Sequence, residues 1–190
     1  MKPRDENKIA QVYKATLKLV KARGLAGITM QSVAKEAEMA TGTLYIYFKN
    51  KDAIIFNLFH VCVQNSAQVF FRNYNPSAPY KEALHLIWYN IMRHRMEHFD
   101  ESVFLEQCFH SPFIDEPTKV RVKKMFDPLR ELIERGKQEQ ELKDMDSFWL
   151  LSFMMGSINE VVKRAVYFNK KISDEMLEMN FMMCWDGMKA

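Results

Sequence analysis

The stretch Thr29–Lys51 reads TMQSVAKEAEMATGTLYIYFKNK. Thr29 fits an N-cap, because its hydroxyl can accept from the free amides of the following turn. A short second helix is expected over Met30–Ala37, with Met30, Val33, Ala34 and Ala37 inward at helical spacing. Three or four residues later a third helix begins near Thr41 and ends near Phe48. Leu44 and Phe48 lie one turn apart on it and face a core. The run Lys49-Asn50-Lys51-Asp52 is a polar break, with Asp52 in the first turn of the next helix. Upstream, Ile9, Val12, Tyr13, Thr16 and Val20 mark one buried face of a first helix over Asp5–Arg23. Lys8, Lys14, Lys18 and Lys21 sit mostly elsewhere on it, and Gly24 stops it. Two short helices joined by a tight turn and braced by a longer one describe a helix-turn-helix unit.

Beyond this head the chain reads as further helices. A fourth, about Asp52–Asn73, is apolar nearly all round, which marks burial on several sides. Asn75-Pro76-Ser77-Ala78-Pro79 is the clearest break. A fifth helix, Tyr80–Phe99, turns Leu84, Ile87, Trp88, Ile91 and Met92 inward, and a sixth spans about Glu101–His110. The seventh, about Glu116–Lys137, contains Pro128, so a kink or break is expected near Asp127, and Gly136 marks its end. The eighth covers about Ser147–Phe168. The ninth opens at Ser173 with Asp174 and Glu175 in its first turn. The expectation is an all-α chain of about nine helices, divided into a head over residues 1–50 and a body over 51–190.

Composition narrows the class. Hydrophobic residues make up 48% and charged residues 27% of the 190, which argues against wholesale disorder. Only 6 Gly and 6 Pro are present, too few for the turns of an all-β fold. No uncharged apolar run is read as approaching the ~18 residues of a membrane span. The start MKPRDENK has no apolar core behind it and is not a secretory signal. Cys62, Cys108 and Cys184 are odd in number and far apart, which is neither a disulfide framework nor a metal pattern. The expectation is a reduced, cytoplasmic protein with buried thiols and no cofactor or metal. Charge is uneven: residues 1–51 hold 10 Lys/Arg against 4 Asp/Glu, and the remainder 17 against 20. A basic head on a slightly acidic body points to a polyanionic partner.

Thr29–Lys51 resembles the DNA-binding domain of the tetracycline-repressor (TetR) family. The matching residues are Ile9, Ala15, Gly24, Thr29, Val33-Ala34, Ala37, Gly42-Thr43-Leu44-Tyr45, Tyr47-Phe48 and Lys51. The resemblance implies DNA contacts at Thr29, Gln31, Thr41, Gly42, Thr43, Tyr45, Tyr47, Lys49 and Lys51. The chemistry agrees. Gly42 lets backbone approach a phosphate or a base edge. Thr41 and Thr43 offer hydroxyls at the positive end of a helix. Tyr45 reaches a thymine methyl or the sugar-phosphate edge, while Tyr47 and Lys51 pin flanking phosphates. Lys2 and Arg4 are candidates to trail along the groove. Two residues depart from the family's usual Ala-Gly-Val-Ser turn. Glu38 stands at the glycine position, where a left-handed backbone costs roughly 1 kcal/mol. Ala40 stands where a serine usually caps the third helix, so the cap is expected to shift to Thr41.

The same resemblance implies a ligand-binding and dimerisation body. Eleven of the 14 Met and 13 of the 14 Phe lie after Phe48, a flexible lining suited to apolar ligands. Trp88, Met92, Phe109, Met125 and Phe153 are the candidate pocket wall. The eighth and ninth helices are apolar on two faces, one more than a monomer needs. Met155, Gly156, Asn159, Val162, Phe181 and Trp185 are the candidate dimer interface, with Gly156-Ser157 allowing close approach. A two-fold dimer would present two recognition helices to one palindromic operator in double-stranded DNA. A small apolar effector would release it, repression being the family's habit.

Two other readings compete. His94-Arg95-Met96-Glu97-His98 fits the H-x-x-E-H pattern of zinc hydrolases, which would make the chain a metal-binding sensor or hydrolase. The pattern is short and sits at a polar helix end. The other reading is a helical interaction protein whose helix-turn-helix serves packing; the basic head argues against it.

Overall fold

The computed structural model describes residues 5–190, so Lys2 and Arg4 lie outside the described residues. Ten α-helices run in order: α1 Glu6–Arg23, α2 Met30–Glu36, α3 Thr41–Tyr47, α4 Lys51–Phe70, α5 Tyr80–Glu97, α6 Phe99–Phe109, α7 Glu116–Met125, α8 Asp127–Gln138, α9 Ser147–Tyr167 and α10 Asp174–Met188. The described residues form no named strand; a single antiparallel bridge joins Leu142 to Lys189. The expected nine helices become ten at Pro128. Asp127 and Pro128 open a new helix with Phe126 at its N-cap, where a proline sacrifices no hydrogen bond.

The chain forms two compact units. One contains the residues up to Gln64 together with Asp100–Val120; the other contains Asn65–Phe99 with Arg121–Ala190.

In the first unit, α1 starts at Asp5, whose carboxylate accepts from Asn7 N, and stops at Gly24 with φ 72°. Its inward residues Val12, Thr16, Leu19 and Val20 are buried, as are Val33 and Ala34 of α2 and Leu44 of α3, with α2 packed against both α1 and α3. Thr29 caps α2 by accepting from Ser32 N, while Ser32 Oγ accepts from Thr29 N in return, a complete capping box. Gln107 Oε1 on α6 accepts from Leu25 N at 3.0 Å, and Lys21 pairs with Asp100 at 2.6 Å. Both contacts tie the Asp100–Val120 segment to the end of α1.

The α2–α3 turn is a Schellman motif. Glu38 N donates to Lys35 O and Met39 N to Ala34 O, with Glu38 at φ 53°. The expected left-handed residue is therefore Glu38. The expected shift of the α3 cap to Thr41 does not occur. Ala40 occupies the N-cap with no side-chain bond, and Thr41 is already helical.

α4 corrects the membrane expectation. By length and hydropathy, Lys51–Phe70 is apolar enough to cross a bilayer. Most of its apolar residues serve the core: Ile54, Ile55, Leu58, Phe59, Cys62 and Val63 are buried, while Phe56, Val61, Asn57, Gln64, Asn65 and Gln68 are exposed.

In the second unit, α5, α8, α9 and α10 enclose Leu84, Ile87, Trp88, Ile91, Leu132, Ile133, Leu150, Met154, Ile158, Leu177 and Phe181. Full burial of one such side chain stabilises by ~1.5–3 kcal/mol before entropy is counted. Gly136 does not end its helix. It lies buried inside α8, where an added Cβ would sit 2.3 Å from the Tyr80 ring and hydroxyl. The left-handed residue just past the helix is Gln140, at φ 58°. All three cysteines are free and buried.

The strongest polar feature of this core is His94. It is 5% exposed, its Nε2 lies 3.2 Å from Ser66 Oγ, and its ring meets Phe70 edge-on and lies tilted over that of His98. Burial first, then the charges of His98 and Arg95, hold its pKa down at about 4.

Both the buried imidazole and the irregular turn have measurable consequences. The unfolded chain takes up a proton at His94 near pH 6.5, which the folded chain refuses until about pH 4. Stability from this group is therefore complete above pH 6.5 and falls as pH drops toward 4, by up to about 3 kcal/mol. Urea titrations at pH 7 and pH 4.5 measure the loss, and His94→Gln should flatten it. At the turn, Glu38→Gly and Ala40→Ser should each stabilise by about 1 kcal/mol, raising Tm by about 2–4 °C. An unchanged melting curve would mean that the turn stores no strain.

Candidate nucleic-acid interface

α3 has seven residues, so its faces are set directly by 100° per residue. Leu44 is fully buried. Phe48, just past the helix end, is also buried, its ring 5.9 Å from that of Tyr13 on α1. These two anchors turn the intervening residues outward. Tyr45 is 55% exposed and Ile46 76% exposed, while Tyr47 is half-buried.

At the start of α3, Gly42 is exposed, and an added Cβ there would meet nothing within 4 Å. No packing demand explains a glycine at this position. Thr41 and Thr43 flank it, both half-buried. No side chain caps this helix end. Its first amides and its positive dipole end are therefore available to an anion. Gln31, early in α2, is exposed. Thr29 is exposed too, but its hydroxyl already serves the capping box.

Past the helix, Lys49 is exposed. Asn50 caps α4 through its Oδ1, which accepts from Ala53 N at 2.9 Å. Lys51, in the first turn of α4, is half-buried with its Nζ 5.7 Å from the centroid of the Phe113 ring. That contact keeps an ammonium fixed beside α3 at an attraction of only ~0.5–1 kcal/mol, little enough to yield to a phosphate. Lys18 of α1 pairs with Glu36 of α2, bracing the two helices. Together these residues make one head with an exposed, uncapped, hydroxyl-rich helix start, two exposed large side chains and flanking lysines.

Sequence reasoning passed over Ile46. Its signal was available: two residues from inward Leu44, it stands about 200° round the helix and must face solvent. The braces from Asp100 and Gln107 carried no such signal, because they are 79 and 82 residues distant from their partners.

In the second unit, Trp88, Met92 and Phe153 line one cavity of about 170 Å³ with Ser157, Val161, Asn180, Met183 and Cys184. Two other candidates for the pocket wall lie elsewhere. Phe109 belongs to the first unit and packs edge-on against Phe59 at 5.4 Å, and Met125 is exposed at the end of α7. The candidate dimer residues also divide. Gly156 and Asn159 are exposed and Met155 half-buried, but Val162, Phe181 and Trp185 point into their own chain's core. The correction has a simple cause: on helices apolar all round, spacing does not say which apolar face packs at home. The exposed apolar residues are Phe148, Trp149, Phe153, Val166, Tyr167 and Phe168 at and around α9, and Met176, Met179, Met182 and Met183 on α10. His94 and His98 share a face as expected, but no group of three or more His, Cys, Asp or Glu among the described residues is placed to hold a metal ion.

Comparison with known proteins adds the lineage. Residues 12–58 match "Bacterial regulatory proteins, tetR family", and residues 79–189 match "Tetracyclin repressor-like, C-terminal domain". An uncharacterised HTH-type transcriptional regulator of Haemophilus influenzae is 33% identical over 81 residues, a match spanning 43% of each chain. The chain thus spans under half the length of that curated relative. A crystal structure of a TetR family transcription regulator from Marinobacter aquaeolei superposes with a TM-score of 0.87 at 24% identity, over 100% of this chain and 99% of that one. A crystal structure of the transcriptional regulator FadR from Bacillus subtilis, in complex with stearoyl-CoA, gives 0.70 at 20% identity over 94% and 98%. The C-terminal match covers more than half of the chain and the head carries the helix-turn-helix motif: the chain belongs to the TetR family of bacterial regulators.

Proposed function

We propose that this chain is a ligand-responsive, DNA-binding transcriptional regulator, a repressor released from a palindromic operator by a small apolar effector. The observation that carries the reading is α3. Leu44 and Phe48 anchor it, and Tyr45 and Ile46 stand out from an uncapped helix start flanked by Lys49 and Lys51. Tyr47 and Lys51 hold phosphates and set the register; Tyr45 and Ile46 meet base edges, where an apolar side chain suits a thymine methyl. Thr41, Gly42 and Thr43 receive a phosphate at the helix start, and Gln31 and Thr29 flank it from α2. The head, residues 1–50, reads DNA; the body, residues 51–190, binds effector and partner.

The exposed apolar residues of α9 and α10 support a homodimer, since a patch of that composition on a monomer calls for a cover. Gly156, open on its outer side, lets a second helix come close. A two-fold pair of heads matches a palindrome. The effector prefers a body conformation in which the two heads no longer match the half-site spacing, and that preference sets a coupling of ~1–3 kcal/mol. The acyl chain on the Bacillus subtilis neighbour's ligand supports an apolar effector class. The setting for this work is the cytoplasm, where DNA is, and it needs no cofactor and no catalysis.

The test is a titration onto the DNA upstream of the chain's own gene, at two salt concentrations and against random competitor. Tight, competitor-resistant binding with a steep loss in salt is expected. Tyr47→Ala should weaken it roughly tenfold at every sequence, and Lys51→Ala should also reduce the salt slope by about 1. Ile46→Ala should instead relax base preference at one position of each half-site. If random DNA competes equally on this and on genome-selected fragments, the reading as a helical interaction protein takes its place.

A further inference from the structure

In the first unit Lys18 meets the carboxylate of Glu36, Lys21 that of Asp100 and Lys119 that of Glu116. Lys51 does not follow this pattern. Among the described residues it forms no ion pair, and its Nζ stands over the Phe113 ring instead, 5.7 Å from the centroid. Both residues are half-buried and belong to the same unit. The turn that carries Phe113 is pinned on both sides. Ser111 Oγ donates to Cys108 O at 2.8 Å, closing the end of α6, and accepts from Phe113 N at 3.4 Å. Ile114 is buried, and Asp115 Oδ1 accepts from Thr118 N at 2.9 Å at the start of α7. The ring therefore sits on backbone that has little freedom to follow the lysine.

A ring and a carboxylate hold an ammonium in different ways. A carboxylate neutralises it, and an arriving phosphate must displace that partner. A ring attracts it through the negative face of its quadrupole and leaves the full charge in place. An ammonium has three N–H donors, so those turned away from the ring stay open to acceptors. A lysine stem that is free in solvent loses rotamer freedom when it is fixed on a phosphate. A stem already held over a ring has lost part of that freedom beforehand, which lowers the entropy lost on binding.

We propose that Phe113 is a positioning residue for DNA binding: its ring holds the Lys51 ammonium beside α3, so that a backbone phosphate meets a charge already in place. This role rests on the regulator reading above; the contact between ring and ammonium does not. The ring acts on affinity and not on sequence preference, because every sequence offers the same phosphate. It also acts without adding a charge. Removing the ring loosens Lys51 but leaves its cation, so the salt dependence of binding stays as it was.

The experiment is a double-mutant cycle on the full chain, read by titration onto the selected operator and onto random duplex at two salt concentrations. Phe113→Leu keeps an apolar side chain but removes the aromatic face. It should weaken binding to both duplexes by about two- to fivefold, the worth of one exposed cation–ring contact, with the salt slope unchanged. Phe113→Tyr keeps the face and should bind within about twofold of the parent chain. In a Lys51→Ala background, Phe113→Leu should cause no further loss. Should the leucine variant fold poorly, Phe113→Met takes its place in the cycle. Without DNA, the side-chain NMR signals of Lys51, assigned by their absence in Lys51→Ala, should lie upfield under the ring and return to the ordinary lysine position in Phe113→Leu. An equal loss in both backgrounds would mean that the ring serves only the fold, and tighter binding by Phe113→Leu would mean that it competes with the phosphate; either result overturns the proposal. Unshifted Lys51 signals in the parent chain would overturn it as well. Absence of DNA binding altogether would overturn the regulator reading and this role with it, and a shielded Lys51 in that case shows that the contact itself was not at fault.

Discussion

The burial of Leu44 and Phe48 is the constraint on which the head depends. α3 is too short to hold its shape alone, since an isolated helix of two turns is unstable in water. Its conformation is borrowed from the α1–α2 core into which Leu44 inserts, and from the contact of Phe48 with Tyr13. Once those two side chains point inward, the 100° step places Tyr45 and Ile46 outward with no further freedom. Recognition chemistry and core packing are thus two faces of seven residues. A change in either anchor would rotate the reading face rather than merely loosen it.

The turn before α3 shows how such a unit tolerates irregularity. Glu38 takes the left-handed conformation that glycine usually fills, and Ala40 leaves the next helix uncapped. Neither residue touches the outward face. The Schellman bonds from Glu38 N and Met39 N hold the turn closed whatever side chains it carries. The missing cap also has a use: amides that no side chain occupies remain open to a phosphate.

In the second unit the same economy applies to apolar surface. Methionine and phenylalanine are dense along α9 and α10, yet they divide among a core, a cavity wall and an exposed face. Phe181 and Trp185 fill the core, Phe153 and Met183 rim the cavity, and Met179 and Met182 stand in solvent. His94 sits within this apolar unit as a neutral imidazole, held so first by burial and then by Arg95 and the neighbouring His98.

By itself the sequence determined whatever depends on neighbours within one or two turns. Helix starts at Thr29 and Ser173, the stop at Gly24, the split at Pro128 and the inward pair Leu44 and Phe48 all arise from local capping, donor loss or the helical period. The basic head and its hydroxyl-rich motif were legible for the same reason. Only the tertiary structure decided what depends on distance in the chain. Gly136 reads as a stop until Tyr80 is seen filling the space where its side chain would be. Val162, Phe181 and Trp185 read as a second apolar face until the α5 and α8 residues that cover them are in place. The braces from Asp100 and Gln107 and the ring under Lys51 have no sequence signature at all. Each joins groups whose proximity arises from packing between helices, and periodicity within one helix carries no information about its partner.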